Sequence, residues 1–330
     1  MIKIAFAGFR HGHIYGLYEL AQSNPDIEIV GAYEADTDTR VATEKNLGVF
    51  FNYDSYDDML KDKNINVIAI GDYYAKRGSM AIAALKAGKH VYADKPLCIS
   101  IKELDEIEAL SREKGLKVGC MLDMRQCKFV QPARRFIQEG NLGEIHQIFF
   151  GGQHPLLYGS RANWYFEEGK HGGTINDIAI HGIDLVEYLT GLSMKRVISA
   201  RCWNAFAKEV PSFKDSGQFM IELSNGAGLM ADVSYSAPNS SGYILPFYWR
   251  FTIWGTKGVM EFSYNCNEIT LALDGKPGIE TMAIPDVDTG DCLSVFVDEL
   301  KGKPTDIDTE QVFKATRATL KIQEFADKQG

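Results

Sequence analysis

Asp177, His181, Asp184 and Tyr188 follow one another at intervals of four, three and four. On a helix they share one face. Most of the rest of the stretch, Ile175, Ile178, Ala179, Ile183, Leu185, Val186 and Leu189, is apolar. A helix apolar nearly all round is buried. Carboxylates and an imidazole in such a rod must be satisfied, because a buried polar group without a partner costs about 1–3 kcal/mol. Neighbouring side chains could do this, leaving His181 a core histidine. Alternatively the stripe lines a wet cavity, where an acid–imidazole couple performs general acid–base chemistry. Thr174-Ile-Asn-Asp177 also fits a capping box, with Thr174 at the N-cap.

A second group lies near the start of the chain. Ile2–Ala7 is a short apolar run, as in a buried parallel strand. Gly8-Phe9-Arg10-His11-Gly12-His13 follows it, then a helical pattern, then a second strand ending at Glu34. Strand, glycine turn, helix and acid-ended strand open a dinucleotide-binding unit. Glu34 would take ribose hydroxyls and repel a 2′-phosphate, which favours NAD, with NADP as the alternative. Counted from Gly8, Arg10 and His13 fall where the second and third glycines belong. Arg10, His11 and His13 either contact phosphate or belong to a solvated loop. The strand after Asn66 ends at Gly71-Asp72, and the strand at residues 90–93 ends at Asp94-Lys95-Pro96. Open α/β sheets place ligands at such carboxyl ends. Lys95 is either a ligand of that kind or an ordinary exposed lysine.

The elements that must position these residues change character near residue 122. Before it, strands and helices alternate, which predicts a doubly wound parallel Rossmann sheet. After it come strand-like runs at 195–206, 217–224, 227–236, 248–255, 258–264, 268–273 and 279–284, with turns such as Ser224-Asn-Gly226 and Asp274-Gly275. These predict a large, mostly antiparallel sheet. Helices are expected at 174–190, 289–301 and 309–328. The expected organisation is therefore α/β followed by α+β: a dinucleotide-binding domain over 1–122 and a substrate and oligomerisation domain over 123–330.

Bulk properties exclude several classes. The chain has 330 residues, 45% of them hydrophobic, and a net charge of −9 without a long basic run. Nucleic-acid and anionic-membrane surfaces are not expected. The six cysteines form no CxxC pair, which suggests free thiols in a reducing cytoplasm.

Asp94-Lys-Pro after "AGKHVYA", Gly-Glu-Ile after "QEGNL", and "GGTINDIAIHGIDLVEYLTG" together resemble the glucose–fructose oxidoreductase, inositol dehydrogenase and MocA (Gfo/Idh/MocA) family of oxidoreductases. The resemblance covers the whole chain. It departs from the family at Asp94, usually glutamate, and at Gly71–Arg77, which lacks the usual Pro-x-x-x-His marks. It implies an NAD- or NADP-binding Rossmann domain, sugar or polyol substrates, and a C-terminal sheet whose outer face makes homodimers or homotetramers. It places Lys95 near the nicotinamide and the substrate hydroxyl, and matches Asp177 and His181 to the family's acid and base. On this reading His181 removes the alcohol proton, Asp177 or Asp184 orients its ring, and Lys95 favours the developing alkoxide. The expected cofactor contacts are Gly8, Phe9, Arg10, His11, Gly12, His13, Glu34, Gly71, Asp72, Asp94, Lys95 and Pro96. Arg125, His154, Tyr158, Arg161, Trp164, Tyr165 and Asp184 are expected in the substrate pocket. No metal is expected, although Asp177 and His181, with His154 or His171, have donor types that suit zinc. Two other outcomes keep the fold: a redox-neutral glycoside-cleaving or epimerising enzyme that retains NAD, and a non-catalytic sugar sensor.

Overall fold

Ile2–Ala7 is strand β1, second in a five-stranded parallel sheet of order β2-β1-β3-β4-β5. The computed structural model describes residues 1–329, which fall into two compact units. The first contains Met1–Met121, Ala162–Gly172 and Asp291–Arg317. Its chain runs β1, α1 (His13–Ser23), β2 (Ile27–Tyr33), α2 (Thr37–Leu47), α3 (Tyr56–Lys61), β3 (Val67–Ile70), α4 (Tyr74–Lys86), β4 (His90–Ala93), α5 (Ile101–Lys114) and β5 (Val118–Cys120). β3 is wholly buried and β4 nearly so, which is why both are continuous apolar runs rather than alternating ones. Asp36 caps α2 through the Thr39 amide, and Ser100 caps α5 through the Glu103 amide. The strand order reverses between β1 and β3, so the crevice at their carboxyl ends is the sheet's ligand position.

The second unit contains Leu122–Arg161, Gly173–Gly290 and the chain from Ala318. Its elements are α6 (Val130–Gln138), β6 (Ile145–Pro155), α7 (Ile180–Thr190), β7 (Met194–Trp203), β8 (Ser216–Leu223), β9 (Gly228–Ala237), β10 (Arg250–Gly255), β11 (Gly258–Phe262), β12 (Glu268–Leu273) and β13 (Glu280–Ala283). They build an eight-stranded sheet of order β13-β12-β11-β10-β6-β9-β8-β7. Every pair is antiparallel except β6 with β9. α7 packs on β6 so closely that a Cβ at Gly182 would lie 2.4 Å from the Phe150 ring. The chain closes with α8 (Cys292–Leu300) and α9 (Thr309–Asp327).

The first unit is interrupted after Met121, and two later segments join it. Their apolar side chains have their partners there. Phe296 lies 5.0 Å from Tyr92, and Trp164 lies 4.9 Å from Tyr74. The Thr309 hydroxyl also accepts from the Val118 amide at the end sheet strand.

The helix expected from 174 begins instead with a π-helical turn, Ile175–Ala179. No capping box forms. The Thr174 hydroxyl donates to the Lys214 carbonyl, and the Asp177 carboxylate accepts from the Tyr235 hydroxyl. The Gln323 side-chain oxygen takes the amides of Ile175 and Asn176 at 3.0 and 3.2 Å. Helix starts need such outside acceptors, and π turns recur at functional sites.

Candidate active site

In the first unit, the turn after β1 needs glycine at its first position. Gly8 has φ +83°, and a Cβ there would lie 2.7 Å from the Asp72 amide nitrogen. The next residues fold inward. Phe9 is buried among Phe6, Tyr18 and Phe51. The amides of Arg10 and His11 donate to the Gly71 carbonyl at 3.1 and 3.2 Å. The Arg10 guanidinium pairs with Asp36 at 3.3 Å. Glu34, at the end of β2, accepts from the Phe9 amide at 2.5 Å and the Asp36 amide at 2.8 Å. Burial pushes its carboxyl above the usual range, although both amides pull the other way. Around Gly12, just before α1, a Cβ would meet nothing within 4 Å.

These residues fit a dinucleotide in their backbone course. The parallel sheet reverses order beside them, the turn approaches β3 closely, Gly12 leaves space at the start of α1, and an acid ends β2. Arg10 fills the second-glycine position and is held by Asp36, so phosphate contact there would compete with an existing ion pair.

At the end of β4, Asp94 is completely buried. Its Oδ2 accepts from Arg77 Nη2 at 3.0 Å and faces His11 Nδ1, while Oδ1 lies 3.3 Å from His13 Nδ1. Burial works to raise the Asp94 carboxyl pKa, but the Arg77 guanidinium and the two imidazoles outweigh it and hold it well below the usual range. Arg77, also fully buried, donates to the carbonyls of Asp72 at 2.8 Å, Lys95 at 2.5 Å and Pro96 at 3.3 Å. The Lys95–Pro96 peptide is cis. Lys95 is 2% exposed, so it is no ordinary surface lysine. His11 Nε2 lies 3.2 Å from the Tyr74 hydroxyl, which lies 2.6 Å from the Tyr165 hydroxyl. Trp164, likewise buried, donates its indole N–H to the Arg10 carbonyl at 3.0 Å. Trp164 and Tyr165, expected in a substrate pocket, thus pack beside the turn after β1.

Burial lowers the His11 pKa to about 3, despite the nearby Asp94 charge. In the unfolded chain the ring titrates near ~6.5. Between these values the unfolded chain binds more protons, so acidification removes stability across that window. Asp94, depressed in the folded protein, extends the loss below about pH 4. The thermal midpoint should therefore fall as pH drops from about 6.5 toward 4, by on the order of a few kcal/mol in stability. His11→Gln should flatten that fall in a pH series of melting curves, and an unchanged slope would contradict it.

In the second unit, Asp177 and His181 are both buried. Tyr235 of β9 donates to Asp177. His181 Nδ1 lies 3.6 Å from Asp123 Oδ1, and its ring meets Trp249 edge-on at 5.8 Å. Trp249 is buried with φ +48°, a strained conformation for a bulky residue. The room for its indole comes from Gly152, where a Cβ would lie 2.7 Å from the ring. His154 Nε2 lies 3.3 Å from the Tyr248 hydroxyl, and its ring lies 6.3 Å from Tyr235 and 6.1 Å from Trp249. Arg161 stands over the Tyr235 ring at 5.4 Å, with Nε donating to the Leu156 carbonyl. Tyr158 is half exposed. Asp184 forms a bidentate pair with Arg125, buried like itself, and Arg125 also covers the Tyr188 ring at 4.6 Å. Burial alone would lower the Arg125 pKa; the Asp184 charge overrides it and raises it.

Asp177, His181, His154 and Arg161 thus gather around Tyr235 and Trp249, whereas Asp184 and Arg125 satisfy each other. Three residues of this cluster were not singled out from the sequence. Asp123 follows the end of β5, the kind of position that drew attention to Lys95. Tyr235 and Trp249 carry no local signal, because strand aromatics are ordinary core residues.

Comparison with known proteins agrees with this architecture. A model described as "Oxidoreductase family, NAD-binding Rossmann fold" matches residues 2–121, and one described as "GFO/IDH/MocA C-terminal domain" matches residues 130–261. Levoglucosan dehydrogenase of Pseudarthrobacter phenanthrenivorans is 26% identical over 255 residues, covering 70% of this chain and 64% of that protein. Myo-inositol 2-dehydrogenase of Thermotoga maritima is 21% identical over 238 residues, covering 71% and 67%. The chain spans about half to two thirds of the length of the first curated relatives it matches. A solved levoglucosan dehydrogenase in complex with NADH and L-sorbose superposes with TM-score 0.80 at 20% identity, covering 100% of this chain and 97% of that one. An NAD-binding protein from Listeria innocua superposes equally well, with TM-score 0.80 at 20% identity, covering 99% and 95%. Both solved structures share the fold. With a Rossmann unit opening on Gly8, a mostly antiparallel sheet packed against the helix that carries His181, and family models matching both parts, the chain belongs to the GFO/IDH/MocA family of oxidoreductases.

Proposed function

We propose that the protein is an NAD-dependent dehydrogenase that moves a hydride between the nicotinamide and a hydroxyl-bearing carbon of a sugar, polyol or inositol. The observation that carries this reading is the cluster around His181. It combines a buried acid–tyrosine pair, an imidazole beside a second acid, and aromatic faces of Tyr248 and Trp249. Aromatic faces suit sugar rings, and polar side chains such as His154 and Arg161 suit their hydroxyls. The names of the relatives, levoglucosan and myo-inositol dehydrogenases, point to the same substrate class.

NAD, when bound, supplies the hydride acceptor. The turn at Gly8–Gly12 and the start of α1 would hold its pyrophosphate, and Glu34 its adenosine ribose. Asp36, beside Glu34, is already paired with Arg10, so Glu34 is the carboxylate that disfavours a 2′-phosphate. His181 takes the hydroxyl proton, Asp123 and Asp177 favour the imidazolium that results, and Lys95 stabilises negative charge on the substrate oxygen.

A panel of sugars, inositols and glycosides, each offered NAD or NADP, tests this reading. NADH formation with at least one polyol is expected, and NAD should exceed NADP. One observation favours a redox-neutral variant. Trp164 is tied to the turn after β1, and the Lys170 carbonyl accepts from the Ala75 amide, so Ala162–Gly172 is strapped to that turn and to α4. A strap of this kind suits a retained cofactor. NAD that copurifies, with no net NADH from any substrate, would replace the dehydrogenase reading with that one.

The outer face of the eight-stranded sheet supports self-association. Met220 lies opposite Met230, Met230 beside Phe149, and Phe149 beside Thr252, two residues from Trp254. Met220, Met230 and Trp254 are 38%, 46% and 44% exposed. Exposed apolar side chains gathered on one sheet face in this way favour an interface. A homodimer or homotetramer is expected by light scattering, and Met230→Glu should reduce it to monomers. The six cysteines are all free, in keeping with a reducing compartment. Among the described residues no helix is long and apolar enough to cross a membrane.

A further inference from the structure

His11, His13 and Asp94 stand together in the first unit, where the turn after β1 meets the end of β4. Their donor atoms lie within 4.8 Å of one another. Two of these residues interrupt or border the glycine pattern, and the proton and hydride transfers themselves give neither a task.

We propose that His11, His13 and Asp94 form a binding site for a divalent first-row transition ion of the zinc class. The donor set is two imidazoles and one carboxylate. Imidazole selects such ions over magnesium and calcium, which prefer oxygen alone.

Asp94 Oδ1 is the observation that points to an ion. It belongs to a wholly buried carboxylate, accepts no hydrogen bond among the described residues, and faces His13 Nδ1 at 3.3 Å. That separation is close to the spacing of two donors on one small cation with bonds of about 2 Å. The supporting groups of a metal site are also present. The other Asp94 oxygen is held by Arg77, and the far nitrogen of His11 faces the Tyr74 hydroxyl at 3.2 Å. Ligating imidazoles and carboxylates characteristically have their remaining polar atoms held in this way. An ion would displace the Nδ1 proton that His11 gives to Asp94, and Nε2–H would then donate to Tyr74.

His13 gives the ion a way in, because its side chain is 44% exposed while Asp94 is 0% exposed. Three protein donors leave at least one coordination position open. An anionic oxygen, as in a phosphate or carboxylate, is the class of ligand that position takes.

The test uses the full chain, stripped with a chelator and free of nucleotide, so that it stands apart from the dehydrogenase reading. Cobalt(II) is titrated and followed by its visible absorption, and zinc by calorimetry. Binding of one ion per chain is expected. His13→Ala should weaken it at least about tenfold, and Asp94→Asn at least as much. His146→Ala, on the exposed side of β6, should leave it unchanged. Because His13 is partly exposed, His13→Ala should fold, as circular dichroism can verify. Absence of binding to the parent chain, or equal binding by parent and His13→Ala, overturns the proposal.

Discussion

His181→Ala is expected to lower turnover by about a hundredfold to ten-thousandfold, the range for loss of a general acid–base group. The effect should appear in kcat more than in KM, because proton removal occurs in the transition state and not in ground-state binding. Dinucleotide affinity should survive, since the Gly8 turn and Glu34 belong to the first unit and His181 to the second. His181→Gln is the sharper variant. It keeps a polar side chain of similar reach but cannot take a proton, so it should lose nearly as much turnover as alanine. Asp123→Asn should cost less, because the Asp123 side chain is 58% exposed and water screens its charge. A purely structural histidine would behave differently: both variants would lower the melting midpoint, and neither would separate kcat from cofactor binding. Unchanged turnover in His181→Ala on a substrate that the parent oxidises would remove this residue from the mechanism.

The parts of the fold that were legible in the sequence were those set by local pattern. β3 and β4 are short apolar runs because both sheet faces are covered, and in the second unit the β8–β9 and β12–β13 turns carry positive-φ glycines at Gly226 and Gly275. The helix bearing His181 showed itself through its spacing. What stayed hidden depends on partners far along the chain. The π-helical turn at Ile175 needs Gln323, and nothing near Thr174 announces that Asp177 will take the Tyr235 hydroxyl instead of capping its own helix. α3 has only six residues, too few for a period to appear. The segments at 162–172 and 291–317 return to the first unit through Trp164 and Phe296, and an aromatic residue does not carry the address of its partner. In the site, Asp184 looked as chemically suitable as Asp177. Its bidentate pair with Arg125, 59 residues away, is the difference between them.

Arg77→Met is expected to destabilise the first unit by about 3–5 kcal/mol, the cost of breaking a buried ion pair by removing one partner. In the sequence Arg77 stands out only as the end of the Gly71–Arg77 stretch that departs from the family pattern. In the structure it is fully buried, and one guanidinium serves Asp94 and the carbonyls of Asp72, Lys95 and Pro96. Methionine of similar length would fill much of the volume while leaving Asp94 charged and uncompensated, with three carbonyls deprived of their donor. Thermal and denaturant unfolding should both show the loss, with the midpoint falling by on the order of 10 °C. Arg77→Lys should fall in between, because a single ammonium cannot span the fork that guanidinium spans. Adding Asp94→Leu to Arg77→Met should recover part of the loss, since an apolar pair is cheaper to bury than a lone charge. The same substitution reaches function through Lys95, whose carbonyl Arg77 holds. Turnover should fall in Arg77→Met even at temperatures where the chain remains folded, while the double variant regains stability without regaining turnover. If Arg77→Met melts with the parent, Arg77 is not the residue that holds the turn at the end of β4.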